Sequence, residues 1–486
     1  MGIINITTTG VTITPYIKGQ VPEIEKMTSV YEKITHKWNP VSGFISRDGN
    51  GSFLTYKINE STLKKWFPDY KLISIPPYGK SFDNDIRMKE GFELRQNQLD
   101  IINELIGTNR KEIFLNIPTA TGKTVLGVWY TVYLHQKTLI MCFSNKILQQ
   151  WEEALLQFTN AKEDNIVKLT GDYLEKIYSD EVDMRKVDIF LATPNVFSIF
   201  VNKHGYLELS EIMMKMNLGL KIFDEAHRSL GMIVKLNALT SSRKTLYMSA
   251  DFNRGSRYAR NAFFNVFSHC YKISLDDNEL EKLKHIVGII VNYDSNPADV
   301  DITKIRRGSY KWSHTEYAKY QFNNDILWSK CVKIINKIYD SEPKTTPRYK
   351  ILVLCYLIDH VDAIASALSE LYAGKMSVGR YHSNVSPDEK KEALNCDIIV
   401  SIYGSFSTGI NVISPEIKHV ISTVPVDEVT INQSAGRCRP INGQMSFLWV
   451  LCDEGFEYCI HNRSRISRYL VKSKIKTIIE RKIEEI

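Results

Sequence analysis

The sequence predicts an α/β protein made of two tandem parallel-sheet domains, with a small N-terminal β-containing accessory domain and a C-terminal helical segment. Two observations carry this reading. Apolar runs of strand length alternate with helical patterns from about residue 92 to 275 and again from residue 348 to 451, as parallel sheets flanked by helices require. A chain of 486 residues is also long enough for about three domains of ordinary size, each burying its own core.

In the first α/β stretch the strand-like runs are 112–117, 138–143, 187–192, 219–223 and 244–249. In the second they begin at Arg348-Tyr349-Lys350-Ile351-Leu352-Val353-Leu354-Cys355 and recur at Cys396-Asp397-Ile398-Ile399-Val400, His419-Val420-Ile421 and Phe447-Leu448-Trp449-Val450-Leu451. Between them lie an apolar run at 286–291, a helical pattern at 325–340 and the loop Ser341 to Pro347, whose two prolines cannot continue a helix. Residues 1–88 are Thr-rich at the start and carry short strand-like runs. Two of these, Phe44-Ile45-Ser46 and Phe53-Leu54-Thr55-Tyr56, flank the turn Arg47-Asp48-Gly49-Asn50-Gly51, a strong hairpin signal. The boundaries read as an accessory domain over 1–88, α/β domain one over 89–275, a connecting segment over 276–347, α/β domain two over 348–460 and a basic helix over 461–486. In that last segment Ile466, Leu470, Val471, Ile475, Ile478 and Ile479 share a helical stripe among many arginines and lysines. Such a helix either docks its stripe on domain two with a solvated basic face or forms a basic patch of its own.

Composition narrows the class. Hydrophobic residues make up 43% and charged residues 24%, the balance of a soluble globular protein, and no run approaches the length of a membrane span. The N-terminus lacks a signal pattern, so the expectation is a cytoplasmic protein, in the host cell if the source is a virus. Abundant Ile, Lys and Asn suit an AT-rich genome of that kind. The eight cysteines form no C-x-x-C pair and read as buried thiols in a reducing compartment, not as zinc ligands. A formal charge of +7 permits a polyanionic partner without demanding one.

The chemistry concentrates in two segments. Pro118-Thr119-Ala120-Thr121-Gly122-Lys123-Thr124 follows one apolar run and precedes an apolar helix, which is the strand–loop–helix setting of a phosphate loop. Thr119, Ala120, Thr121 and Gly122 would cradle phosphates, Lys123 would reach the β/γ-phosphates, and Thr124 would bind Mg²⁺. Ile117 stands where such loops usually begin with glycine. The second segment, Ile222-Phe223-Asp224-Glu225-Ala226-His227, ends a buried run on two carboxylates. Asp224 can hold Mg²⁺ through water, and Glu225 can orient or deprotonate the attacking water. ATP and Mg²⁺ are the cofactors implied.

Further segments resemble, in order and spacing, the motifs of the superfamily 2 helicases of DEAH-box type, over about residues 92 to 455. Their fold is a pair of RecA-like domains. Phe92 to Gln98 resembles the segment whose arginine and glutamine, here Arg95 and Gln98, contact adenine. Ser144-Asn145-Lys146 and Ala192-Thr193-Pro194 resemble the strand-end contacts to the nucleic-acid backbone, which implies Asn145, Lys146, Thr193 and Pro194 as contacts; taken alone, both segments also read as ordinary strand-to-helix caps. His227 and Tyr247-Met248-Ser249-Ala250-Asp251-Phe252-Asn253-Arg254 resemble the elements coupling hydrolysis to motion, implying His227, Ser249, Ala250 and Arg254, with Asp251 where threonine is usual. In the second half, Tyr381-His382-Ser383 resembles another backbone contact. Ser401 to Val412 resembles the fifth motif, implying Ser405 and Ser407 toward nucleic acid and Gly409 and Asn411 toward nucleotide, with Asn411 replacing the usual aspartate. Gln433-Ser434-Ala435-Gly436-Arg437-Cys438-Arg439-Pro440 resembles Q-x-x-G-R-x-x-R. The resemblance gives Gln433, Arg437 and Arg439 catalytic roles, Arg437 foremost, as the arginines that reach the γ-phosphate; Arg439 falls one residue early. A solvated basic loop is the alternative.

Within the superfamily the layout is most similar to the phage UvsW-type branch-migration helicases, which carry a small N-terminal DNA-binding domain. Lys37-Trp38-Asn39-Pro40 and the hairpin after it resemble that domain weakly. The expectation is a monomeric, ATP-dependent DNA helicase or translocase acting on branched or duplex DNA in recombination, repair or replication restart, without a membrane partner. The alternatives are an RNA-directed ATPase of viral transcription and a nucleic-acid-binding module with a vestigial ATPase.

Overall fold

Near-continuous apolar runs suit strands covered by helices on both faces, and in this chain they build two parallel seven-stranded sheets. The computed structural model describes residues 2–27, 29–32, 37–40, 43–45, 51–118, 121–249, 257–282, 284–297, 305, 312–341, 349–407, 417–438, 444–470 and 475–486. They fall into two units, Met1–Leu275 and Asp276–Ile486.

In the first unit the sheet runs, in spatial order, Ile166–Lys168, Ile189–Ala192, Thr138–Met141, Leu220–Asp224, Lys244–Ser249, Glu112–Asn116 and Tyr271–Ser274, every pair parallel. All five expected strands are present, and the two additional ones are the short edge strands. Each carries charge, Lys168 on one edge and Lys272 on the other, which weakens the apolar signal and protects the edge. The spatial order places Lys244–Ser249 between the strand leading into the phosphate loop and the strand ending in Asp224, with Ser249 opposite Asn116 and Asp224 opposite Met248. Phe223, Tyr247 and Phe114 occupy adjacent positions on these three strands, and their rings stack at 5.6 and 6.5 Å. That aromatic row pins the register of the strands that carry the loop and the acidic pair.

The second unit repeats the layout with Val378–Tyr381, Ile398–Ile402, Lys350–Cys355, Ile417–Ser422, Ser446–Asp453, Ile286–Tyr293 and Ile475–Lys482, again all parallel. Two expectations are corrected here. Ile286–Tyr293, read as part of a connecting segment, is an interior strand of this sheet. The expected basic helix over 461–486 is helical only within Glu457–Leu470, and Ile475–Lys482 is an edge strand beside Ile286–Tyr293. Ile475, Thr477, Ile478 and Ile479 are β-branched and fit a pleated surface better than a helix. Gly288 lies opposite Ile478, and even a Cβ there would meet Ile478 Cγ1 only at ordinary van der Waals contact, 3.4 Å. Among the described residues no helix is long and apolar enough to cross a membrane. All eight cysteines are free thiols, seven of them buried.

The N-terminal residues form a five-stranded mixed sheet in the order Gly43–Ile45, Gly51–Tyr56, Gly10–Tyr16, Ile3–Ile6 and Lys71–Ser74. Phe44 pairs with Phe53 across the expected hairpin, whose turn lies outside the described residues. Trp38 and its neighbours form a separate two-stranded ribbon, Ser29–Glu32 with Lys37–Pro40.

The Thr-rich tip of this sheet is fastened to the first parallel sheet's domain. Thr7 Oγ1 donates to Asn237 O at 2.6 Å and Thr8 Oγ1 to Ser242 O at 3.0 Å. Beneath them the fully buried Lys221, on the strand that ends in Asp224, donates to Thr9 Oγ1 (3.2 Å), Asn237 Oδ1 (2.8 Å) and Thr240 Oγ1 (2.8 Å). Burial pulls the Lys221 ammonium down to about 7, whereas an unfolded lysine titrates near about 10.4. Between those values the unfolded chain holds the proton and the folded chain does not, so this residue makes stability rise with pH across that window. Lys221→Met is expected to flatten that rise in denaturant unfolding followed from about pH 7 to about pH 10.

Candidate active site

The C-terminal ends of parallel strands point into a crevice where the strand order reverses, and the first unit places its candidate residues there. The strand Glu112–Asn116 ends in the loop, and the helix Lys123–Leu134 begins at Lys123. Gly122, at φ 91°, is the left-handed residue before that helix, a conformation costly for any residue with a Cβ. A Cβ there would also lie 2.2 Å from Gln98 Nε2. Gln98 braces the loop: its Nε2 donates to Thr121 O at 3.2 Å, its Oε1 accepts from the Arg95 backbone N–H at 3.0 Å, and the side chain is buried. Thr121 Oγ1 closes the turn onto Pro118 O at 2.7 Å. Gln98 therefore shapes the loop, while Arg95 is exposed beside it.

The acidic pair faces this loop. Lys123 Nζ stands 3.5 Å from Glu225 Oε1, both side chains largely shielded. Asp224 Oδ1 accepts from the Glu225 N–H at 2.9 Å and Oδ2 from the Trp151 ring N–H at 2.9 Å. Burial foremost, then the neighbouring Glu225 carboxylate, raises Asp224 above the usual carboxylate range, while Lys123 and the Trp151 N–H pull the other way. Glu225 adopts φ 48°, a left-handed kink that turns the chain sharply after the strand. That kink brings His227 Nδ1 to 3.3 Å from Glu225 Oε2 and 2.7 Å from Ser249 Oγ, a hydrogen bond whose donor depends on the ring tautomer. The adjacent strand thus links its own end to the acidic turn.

This donor set fits a magnesium nucleotide. A helix N-terminus with a lysine at its start favours phosphate, and two carboxylates that repel one another in a buried setting are suited to a divalent cation. Thr124 and Asp224 are the residues that would hold the ion.

Of the expected nucleic-acid contacts, Asn145 is exposed and Lys146 half-buried at the start of the helix Asn145–Phe158, where Ser144 Oγ caps the Ile147 N–H at 3.4 Å. Thr193 is buried and Pro194 opens the helix Pro194–His204. In the second unit His382 is buried, its Nε2 2.9 Å from Asp362 Oδ1, and Ser383 is exposed beside it. Ser401 Oγ donates to Tyr381 O at 2.5 Å, joining the ends of two neighbouring strands. Ser405 and Ser407 lie in the short helix Tyr403–Ser407. Gln433 lies in the helix Glu428–Ala435, and the Arg437 N–H donates to Ser434 O at 3.0 Å in the turn that follows. Thr119, Ala120, Ala250, Arg254, Gly409, Asn411 and Arg439 fall outside the described residues.

Two residues not singled out from the sequence belong to the site. Trp151 is fully buried against Asp224, and Gly127 leaves space for its ring. The apolar stripe of Leu148, Trp151 and Leu155 is legible in the sequence, but a stripe does not say where an indole N–H points.

Residues 91–254 match the family described as Type III restriction enzyme, res subunit. The chain is also similar to the XPB helicase/translocase subunit of general transcription and DNA repair factor IIH. The Encephalitozoon cuniculi protein is 25% identical over 210 residues, covering 41% of this chain and 30% of that one. The Schizosaccharomyces pombe protein is 26% identical over 99 residues, 20% of this chain and 12% of that one. The matched stretches thus span less than a third of these relatives. Among solved structures, Saccharomyces cerevisiae Dbp5 bound to RNA and ADP BeF3 has a TM-score of 0.50 at 11% identity, over 80% of this chain and 90% of that one. That likeness concerns the fold, an α/β architecture consistent with tandem RecA-like domains. The family match and the XPB relatives support helicase superfamily 2 as the class.

Replacing Gly122 by alanine puts a Cβ into Gln98 and into left-handed backbone strain of about 1–2 kcal/mol. Gly122→Ala is expected to weaken a fluorescent ATP analogue by roughly tenfold or more in equilibrium titration.

Proposed function

We propose that the chain is an ATP-driven translocase that remodels branched or duplex DNA, nearest to the UvsW-type enzymes within superfamily 2. The observation that carries the ATPase part is the convergence of Lys123, Asp224 and Glu225 at the C-terminal edge of one parallel sheet, with Lys123 Nζ 3.5 Å from Glu225 Oε1. The superfamily match supports ATP-dependent action on nucleic acid. The DNA substrate rests on the sequence resemblance and on the XPB relatives, whose names include DNA repair.

The residues divide the work as follows. The loop N–H groups and Lys123 bind the β- and γ-phosphates. Thr124 and Asp224 would hold Mg²⁺, which would supply charge neutralisation on the phosphates. Glu225 accepts the proton of the attacking water as the bond to the γ-phosphorus forms and the β–γ bridge breaks. His227, hydrogen-bonded to Ser249, ties that step to the strand between the loop and the acidic pair. Gln433, Arg437 and Arg439 are assigned to the γ-phosphate, where Arg437 would stabilise transition-state charge. Asn145, Lys146, Thr193, Pro194, His382, Ser383, Ser405 and Ser407 are assigned to the strand backbone, directly or by shaping the loops that touch it. Binding through phosphates makes affinity sequence-blind and strongly salt-dependent.

The test is steady-state ATP hydrolysis without polymer and with single-stranded DNA, duplex DNA, a four-way junction and RNA. Wild type is expected to respond most to the junction or duplex. Lys123→Ala should abolish turnover, and Arg437→Ala should lower stimulated kcat by about 10³-fold, the scale of arginines that act on a transferring phosphoryl group, while leaving nucleotide binding intact. Stimulation by RNA alone would replace DNA with a transcript as the substrate. Absence of hydrolysis with every polymer would reduce the chain to a binding module.

A further inference from the structure

Asp224 is the buried carboxylate of the acidic pair, and its outer oxygen is held by one side chain, Trp151, at 2.9 Å. An indole N–H can only donate, and a buried one needs an acceptor. Here the acceptor is a carboxylate, so the bond is charge-assisted and directional. The ring has no freedom to wander. Trp151 is fully buried, and Gly127, in the helix that begins with Lys123 and Thr124, lies so close that a Cβ there would stand 2.3 Å from Trp151 Cη2. The indole is therefore wedged between the phosphate-loop helix and the end of the Asp224 strand.

The same tryptophan sits on the helix Asn145–Phe158, whose first residues are the exposed Asn145 and half-buried Lys146. Six residues of helix carry any displacement at Asn145 about 9 Å along the axis to Trp151. A second strap runs beside the first. Arg228, at the end of the acidic turn, lies 5.0 Å from the ring centre of Phe143, which is 45% exposed just before the cap of that helix.

We infer that Trp151 is a positioning residue: through its ring N–H the helix Asn145–Phe158 sets the Asp224 carboxylate, so that a nucleic-acid strand engaging Asn145 and Lys146 tightens Mg²⁺–nucleotide binding and raises turnover. The inference rests on the proposed function. It adds a route from polymer to metal that no motif assignment contains.

The experiment compares wild type, Trp151→Phe, Gly127→Ala, Asp224→Asn and the double variant Trp151→Phe/Asp224→Asn. Two quantities are read: equilibrium binding of a fluorescent ADP analogue titrated with Mg²⁺, with and without a DNA junction, and kcat and KM for ATP in the same conditions. Trp151→Phe keeps the ring and loses the donor. It is expected to need about 10-fold more Mg²⁺ for half-saturation, the scale of losing a partner behind a metal ligand, and to lose most of the effect of DNA on that midpoint. Metal-free nucleotide affinity should match wild type. Stimulated kcat should fall by about 10-fold, with KM less affected. Gly127→Ala, which displaces the ring, should do the same. Adding Trp151→Phe to Asp224→Asn should change the Mg²⁺ midpoint no further, because both act through one carboxylate.

Additive effects in the double variant, a metal-free affinity that falls with the metal-dependent one, or a Trp151→Phe midpoint equal to wild type would each overturn the inference. Wild-type nucleotide binding that is indifferent both to Mg²⁺ and to Lys123→Ala would instead sink the proposed function, and this inference with it.

Discussion

Two adjacent carboxylates at the end of a buried strand are the constraint on which the first unit is built. Asp224 and Glu225 repel one another where water screens little, and burial alone already disfavours the charge on Asp224. Stable folding around them needs compensating donors, and the structure supplies them from three directions: Lys123 from the loop, Trp151 from a flanking helix, and the Glu225 N–H from the kinked backbone itself. Lys123 and His227 both approach Glu225, while Asp224 is held by neutral N–H donors. Two adjacent carboxylates so placed suit a site for a cation, which would add the positive charge that hydrogen bonds to Asp224 do not.

Strand order turns this local arrangement into a machine part. Lys244–Ser249 lies between the phosphate-loop strand and the acidic strand, so Ser249 is within reach of His227, which in turn contacts Glu225. Through His227 the end of Lys244–Ser249 and the acidic turn are in direct contact. Aromatic packing of Phe114, Tyr247 and Phe223 holds these three strands in register behind the site. At the opposite edge Glu112 is satisfied by His269 Nε2 at 2.7 Å and Tyr247 OH at 3.1 Å, so that face is closed by ordinary hydrogen bonds.

The N-terminal sheet is more than an appendage on this account. Its threonine tip and the buried Lys221 join it to the strand that ends in Asp224, three residues from the acidic pair. A buried lysine with several acceptors is costly to leave unpaired, so the tip and the strand are held in one arrangement. In the second unit the same economy appears in simpler form: Ser401 ties one strand end to Tyr381, and Asp362 holds His382.

Local sequence was sufficient where the physical signal is itself local. Apolar runs bounded by turn residues gave the five inner strands of the first sheet, and Gly-Lys-Thr followed by an apolar helix marked the phosphate loop, because period and loop chemistry act over a few residues. Tertiary structure decided whatever depends on distant partners. Ile286–Tyr293 became an interior strand because Ser446–Asp453 and Ile475–Lys482 flank it, and the last of these abandoned its helical stripe because β-branched residues found an open sheet edge. His382 looked like a contact residue and is buried against Asp362. Trp151 was not singled out from the sequence, and its ring N–H reaches a carboxylate 73 positions away. Hydrogen bonds of that kind join elements whose approach is set by packing the whole sheet, and no short-range pattern in the chain encodes their direction.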